Sequence, residues 1–206
     1  DAAITAHPDA LTNSATAAFS FTGVGAESFE CKLDSAGYVA CASPVNYTNL
    51  YNGSHTFYVR AKDAAGNYDP SPASYTWTVD TNPPETTITQ WPATPSVGNT
   101  AVFTFSSETG ATFECRLDGA AFATCTSPQN YTGLSDGSHT FQVRAKDAAG
   151  NVDPSPAGYT WAVDTTPPET TITGKPAATT NSTTAEFTFT GAKSEARGVG
   201  KESRSW

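Results

Sequence analysis

Nearly the same thirty residues are written twice in this chain. RAKDAAGNYDPSPASYTWTVDTNPPETTIT runs from Arg60 to Thr89, and RAKDAAGNVDPSPAGYTWAVDTTPPETTIT runs from Arg144 to Thr173, 84 positions on. The register holds without a gap from Ile4 and Ile88 to Asp80 and Asp164, and Ile172 stands in it a third time. An echo this long at a fixed offset selects tandem copies of one unit over a single large domain. The copies predict boundaries at 1–80 and 85–164, joined by Pro-rich linkers at 81–84 and 165–168. An incomplete third copy spans 169–192, and an atypical tail follows at 193–206.

A unit of about 80 residues buries only roughly 60–65% of the surface of its unfolded chain, so such units lean on covalent staples. Cys31 and Cys41 fall in the first copy and Cys115 and Cys125 in the second, with none left over. Matched pairs without further thiolate or imidazole ligands nearby read as disulfides, Cys31 with Cys41 and Cys115 with Cys125, and hence as an oxidising, extracellular setting. The net charge of −9, with 11 Lys and Arg against 20 Asp and Glu, leaves no basic stripe to meet phosphates, so no nucleic-acid partner is expected. No apolar run approaches the length of a membrane helix, so no membrane insertion is expected. The chain contains no methionine, which predicts a piece of something longer.

Strict alternation in AFSF, VFTF and EFTF is the period-2 signature of half-buried strands, and no stretch carries a capped 3.6-residue apolar repeat. One copy predicts strands near Ala3–Thr5, Ala17–Thr22, Phe29–Leu33, Tyr38–Ala42, His55–Lys62 and Tyr75–Val79, with a short edge strand near Val45–Thr48. The fold class that follows is all-β: two tandem Ig-like antiparallel β-sandwich domains plus the first strands of a third. The hairpins closing around DSAG and DGAA would set the two sulfurs of each pair directly opposite one another.

The segments LYNGSHTFYVRAKDAAGN and LSDGSHTFQVRAKDAAGN, followed by YTWTVD and PPETTI, resemble the tandem Ig-like repeats of large bacterial surface and secreted proteins, related in shape to fibronectin type III modules. The resemblance covers both full copies and the opening of the third. It implies a non-catalytic spacer or adhesive role at the cell surface or in secretion, with neighbouring repeats as partners and a surface glycan or protein as a further ligand. It specifies fold far better than function.

Four features are weighed against a purely structural reading. DAAGN is a tight reversal in which Gly66 and Gly150 supply positive φ, but its oxygens also suggest calcium. Asp63, Asn67 and Asp69, with Asp147, Asn151 and Asp153 in the second copy, are hard ligands at close spacing. The second loop would face Asp80 and Glu85, as in cadherin-type linkers. His55 and His139 follow serines in GSH, which would suit a hydrolase; in the resembling sandwiches this is the place of the tyrosine corner, which makes each a packed structural residue. Trp77 and Trp161 share a strand face with Tyr75, Tyr159, Val79 and Val163, the core pattern, while Trp91 is expected at the junction. Asn46, Asn52, Asn130 and Asn181 open N-x-[ST] triplets.

The linkers VDTNPP and VDTTPP are stiff, because proline fixes φ and extends the residue before it. Where the third copy should read FEC the sequence turns to EARGVGKESRSW, which reads as foreign to the repeat. The strand at Ala185–Thr190 would lack its sandwich and add to an edge of the second copy or of a neighbouring molecule, giving a weak homodimer.

Overall fold

The computed structural model describes residues 1–192; the atypical tail at 193–206 lies outside the described residues. Every regular element among them is a strand. The first copy folds as β1 (Ala2–Ala6), β2 (Leu11–Thr12), β3 (Ala17–Gly23), β4 (Ser28–Leu33), β5 (Val39–Cys41), β6 (Val45–Tyr47), β7 (Gly53–Lys62) and β8 (Ala73–Val79). The second follows as β9 (Thr87–Gln90), β10 (Ala101–Ser106), β11 (Thr112–Leu117), β12 (Ala123–Cys125), β13 (Gln129–Tyr131), β14 (Gly137–Lys146) and β15 (Ala157–Val163). The third opens with β16 (Glu169–Gly174) and β17 (Thr188–Ala192). The described chain gathers into two compact units. One takes Asp1–Thr86, Ser107–Glu114 and Arg144–Pro156, and the other takes Thr87–Ser106, Cys115–Val143 and the described residues from Ala157 on.

The sheets of the first copy are ordered β1-β3-β6 and β2-β8-β7-β4-β5, and those of the second β13-β10-β9 and β12-β11-β14-β15. Alternation decides what lies between them. In β7 every second residue, His55, Phe57, Val59 and Ala61, is buried, and β3 answers with Ala17, Phe19 and Phe21. Phe19 stacks on Phe57 at 4.2 Å across the sheets and Phe103 on Phe141 at 4.1 Å. Trp77 and Trp161, each 1% exposed, stand 5.1 Å from those phenylalanines. Burying each such ring contributes roughly 1.5–3 kcal/mol, and the offset contacts add to it. The amide of Phe21 leaves the ladder to donate to Ser43 Oγ, and Phe105 does the same to Ser127 Oγ, both at 2.9 Å.

One strand escaped the sequence reading. β2 is two residues long and runs parallel to β8, pairing Leu11 with Thr78 and Thr12 with Val79. A pair so short carries no periodicity. The disulfides also differ in detail from the expectation. In β4 and β5 Cys31 faces Val39 and Cys41 faces Phe29, so the sulfurs bridge diagonally, with Cα atoms 5.8 Å apart. The reason is the turn: Ala36 N–H donates to the Leu33 carbonyl at 3.0 Å, closing the hairpin ahead of the midpoint between the cysteines. The Cys115–Cys125 bridge has nearly the same span, 5.7 Å.

The third copy also departs from expectation. β17 pairs with β16 of its own repeat, Ile172 facing Phe189. The pairing repeats Ile4 with Phe21 and Ile88 with Phe105, 168 and 84 residues earlier. A strand close in sequence closes a loop at small entropic cost, which favours it over an edge elsewhere. Among the described residues no sheet opposes this pair, and Ile172, Phe187 and Phe189 stay exposed.

Candidate functional site

The loop DAAGN is a closed hairpin in both copies. Lys62 bridges to Tyr68 and Lys146 to Val152, and Asp63 N–H donates to the Asn67 carbonyl as Asp147 N–H does to Asn151, each at 3.0 Å. Gly66 and Gly150 hold φ at 90° and 98°, the left-handed region such a reversal requires. Each leading aspartate caps its own loop. Asp63 Oδ1 accepts from Asn67 N–H and Oδ2 from the Asn67 side-chain amide; Asp147 does likewise with Asn151 and accepts from Gly150 N–H as well. Hydrogen bonds from the Asn67 side chain, then its backbone, hold Asp63 below the usual carboxylate range. At Asp147 burial pushes upward, and the Asn151 and Gly150 donors outweigh it.

Asp69 and Asp153 do a second structural task. Oδ1 of each accepts from the backbone and hydroxyl of Ser71 or Ser155, and Oδ2 accepts from the amide of Ala2 in β1 or of Thr86 just before β9, at 2.9 and 3.0 Å. Asp80 Oδ1 accepts from Asn82 N–H, and the Glu85 carbonyl accepts from Ser107 Oγ. The structure thus puts Asp80 beside the second loop, where Asn151 Nδ2 donates to its carbonyl at 2.7 Å. Among the described residues no group of three or more His, Cys, Asp or Glu side chains is placed to hold a metal ion.

The histidines sit inside the sandwiches. His55 Nδ1 lies 2.8 Å from Asp34 Oδ2 and Nε2 lies 2.9 Å from the Tyr51 carbonyl; His139 repeats this with Asp118 Oδ2 at 2.7 Å and the Ser135 carbonyl at 2.9 Å. The Asp118 hydrogen bond, then the Ser135 carbonyl, raises the His139 pKa against the effect of burial. Asp34 and Asp118 also accept the amides of Thr56 and Thr140, which ties the β4 and β11 turns to β7 and β14. Both nitrogens of each ring are engaged within the fold, with His55 1% and His139 7% exposed. Ser54 and Ser138 point to the opposite face by strand alternation. A strand-start ring bonded to a carbonyl four residues upstream, between two antiparallel sheets, occupies the tyrosine-corner position. The chain is built of tandem Ig-like, fibronectin III-like β-sandwich modules.

A scan against protein families finds no match for the chain. It is 41% identical over 112 residues, 48% of its length, to chitinase A1 of Niallia circulans, and it spans 16% of that protein. Among solved structures, the fibronectin(III)-like modules of Clostridium thermocellum CbhA align with a TM-score of 0.47 and 16% identity, over 79% of this chain and 94% of that one. A structure of a 1.5-MDa bacterial ice-binding adhesin aligns with a TM-score of 0.44 and 16% identity, over 77% and 62%. A tetra-tandem repeat from the extending region of a large adhesion protein gives 0.30 and 18%, over 89% and 54%.

The outer sheet face of the first module carries a stripe that the sequence reading missed. Arg60 lies 4.1 Å from the ring centroids of both Tyr38 and Tyr68 and pairs with Glu30 at 2.6 Å, while Lys32 lies over Tyr58 at 4.3 Å. Those rings already bear cations, so they are not bare platforms for sugar stacking. The second module keeps the Arg144–Glu114 pair and sets Arg116 over Phe122. Trp91 packs on Tyr159 at 5.6 Å, as His7 packs on Tyr75 at 3.8 Å in the first module. Asp34 and Asp118 were missed as partners of the histidines. Their signal was the LD shared by two turns whose following residues, SAG and GAA, differ.

Proposed function

We propose that this chain is a non-catalytic spacer and accessory segment of a larger extracellular bacterial protein. Its modules are bounded at 1–80 and 85–164, with linkers at 81–84 and 165–168 and a third module opening at 169–192. One observation carries the reading: the pairs Ile4–Phe21, Ile88–Phe105 and Ile172–Phe189 recur in one register every 84 residues, so a single unit is simply laid down again. The groups that could do chemistry are spent on that unit, the histidines on corners and the loop aspartates on caps. Proline-stiffened linkers then set spacing between neighbouring modules. The disulfides support an oxidising, extracellular setting.

The test is an assay of the isolated chain against ester, phosphate and polysaccharide substrates. No turnover is expected. Turnover that survives purification and disappears in both His55→Gln and Asp34→Asn would replace the spacer with a hydrolase.

A second reading is favoured by the 112-residue likeness to a chitinase: an accessory role that brings a catalytic domain elsewhere in the protein to an insoluble polysaccharide. Co-sedimentation of the chain with chitin or cellulose would support it. The exposed Ile172 and Phe189 also support weak self-association through the partial third module, which deletion after Thr173 should abolish.

A further inference from the structure

The same loop is open in one copy and half-buried in the other. Asn151 Nδ2 donates twice, to Asp147 Oδ2 inside its loop and to the Asp80 carbonyl at the end of the first module, each at 2.7 Å. Asn67 makes the matching internal bond to Asp63 Oδ2 at 3.0 Å, and an amide carries a second hydrogen. Ala65, Gly66 and Asn67 are exposed, whereas Ala149, Gly150 and Asn151 are half-buried. The Asn13 amide stands 3.6 Å from where a Cβ on Gly150 would lie.

We propose that the entry end of the first module is a docking face for the exit end of another module of this kind. Asn67 takes a backbone carbonyl at the position of Asp80, and Val24 covers an apolar side chain at the position of Asn13. The proposal rests on the spacer reading and specifies how one module meets the next.

Three observations fix the occupant. The exit end has one construction in both modules: Asp80 N–H donates to the Thr12 carbonyl and Asp164 N–H to the Ser96 carbonyl, both at 2.9 Å, which sets Asn13 and Val97 at equivalent places beside the departing strand. The side chains there come in two kinds. The first module's exit carries Asn13, and the second module's entry carries the polar Glu108 where the first has Val24. Val97 and Val24 are 86% and 94% exposed, so an exit of the Val97 kind is the apolar counterpart that the Val24 entry lacks. The space is also present: a recess of ≈ 340 Å³ at this end is lined by Val24, Gly25, Ala61, Asn67, Tyr68 and Pro70 among others.

The experiment fuses a copy of residues 85–168 ahead of Asp1, which preserves the 84-residue period. Amide hydrogen exchange is read on the peptide ending in Tyr68, which is unique to the first module. Exchange at Ala65–Asn67 should slow roughly five- to tenfold, the worth of one net hydrogen bond, towards the rate at Ala149–Asn151. Val24→Glu should restore fast exchange in the fusion and leave the unfused chain unchanged. Unchanged exchange in the fusion would overturn the docking face and leave the spacer reading standing, since modules on linkers still set distance. Slowing that survives Val24→Glu would overturn the apolar contact. Hydrolytic turnover would sink the spacer reading without touching the exchange result.

Discussion

DAAGN occurs twice in this molecule with one sequence, one shared set of internal hydrogen bonds to which Asp147 adds a bond from Gly150 N–H, and two environments. At Asp63–Asn67 the tip is open to solvent, and at Asp147–Asn151 it is half-buried with an extra hydrogen bond to Asp80. Five residues suffice for the hairpin because the aspartate cap, the positive-φ glycine and the flanking bridge are all local. Burial is not local, since it depends on what the chain brings to the loop. Identity of sequence therefore guarantees the turn and leaves its role open.

The two loops differ in environment alone only if the module interiors are equal, and the largest expected effect tests that equality. Replacing Cys31 and Cys41 by alanine, or Cys115 and Cys125, should cost about 2–3 kcal/mol in either case, because each bridge closes a loop of the same length. Urea melts of the two double variants should shift alike. A clear inequality would mean that the interiors differ and that the loops cannot be compared on environment alone.

The next effect is smaller and bears on the contrast itself. Asn151→Ala removes a bond to Asp80 that Asn67→Ala has no counterpart for, so it should cost about 1 kcal/mol more. Denaturant midpoints measured on the two single variants decide it. Equal costs would show that the Asp80 contact contributes nothing net.

How much of this was legible beforehand follows from the same division between local and non-local. Strands such as Ala17–Gly23 and Gly53–Lys62 were readable because one face of each is apolar at period 2. The two-residue β2 was not, since its place beside β8 is a tertiary fact with no pattern of its own. The diagonal Cys31–Cys41 bridge turns on a one-residue difference in where the hairpin closes, which spacing alone does not reveal. At the candidate site, the packing of His55 and its backbone bond could be anticipated from strand alternation and the corner position. Its carboxylate partner comes from another turn, 21 residues away, and only the fold brings it there.

The Asp118–His139 pair gives a pH test that should leave the loop contrast intact. The Asp118 hydrogen bond, with the Ser135 carbonyl, raises the folded His139 pKa, so the stabilisation is complete below the unfolded value of about 6.5 and is lost as pH rises through the folded value. At Asp118 burial pushes upward, but the bonds from His139 and Thr140 bring it below its ordinary value, so its contribution is lost on acidification. Denaturant midpoints followed upward from pH 6 should decline, and Asp118→Asn should flatten the slope. Meanwhile the ratio of exchange rates between the two loops should not move. A decline that persists in Asp118→Asn would assign the titration to another group.

The smallest expected effect is that of calcium, and it probes whether the second loop owes its burial to anything besides Asp80. A calcium ion takes six to eight oxygens at about 2.3–2.6 Å. In both loops the leading aspartates and those of Asp69 and Asp153 already accept two or more N–H or O–H groups each, and Asn151 presents hydrogen, not oxygen, to Asp80. An ion would have to break the caps that form the hairpin before it gained a ligand. Thermal melts in calcium and in chelator should therefore coincide, because a ligand that does not bind the folded state cannot shift its equilibrium. A midpoint that rises with calcium and loses the rise in Asp147→Ala, but not in Asp63→Ala, would break this account. It would also give the second loop a cause of burial that the first loop does not share.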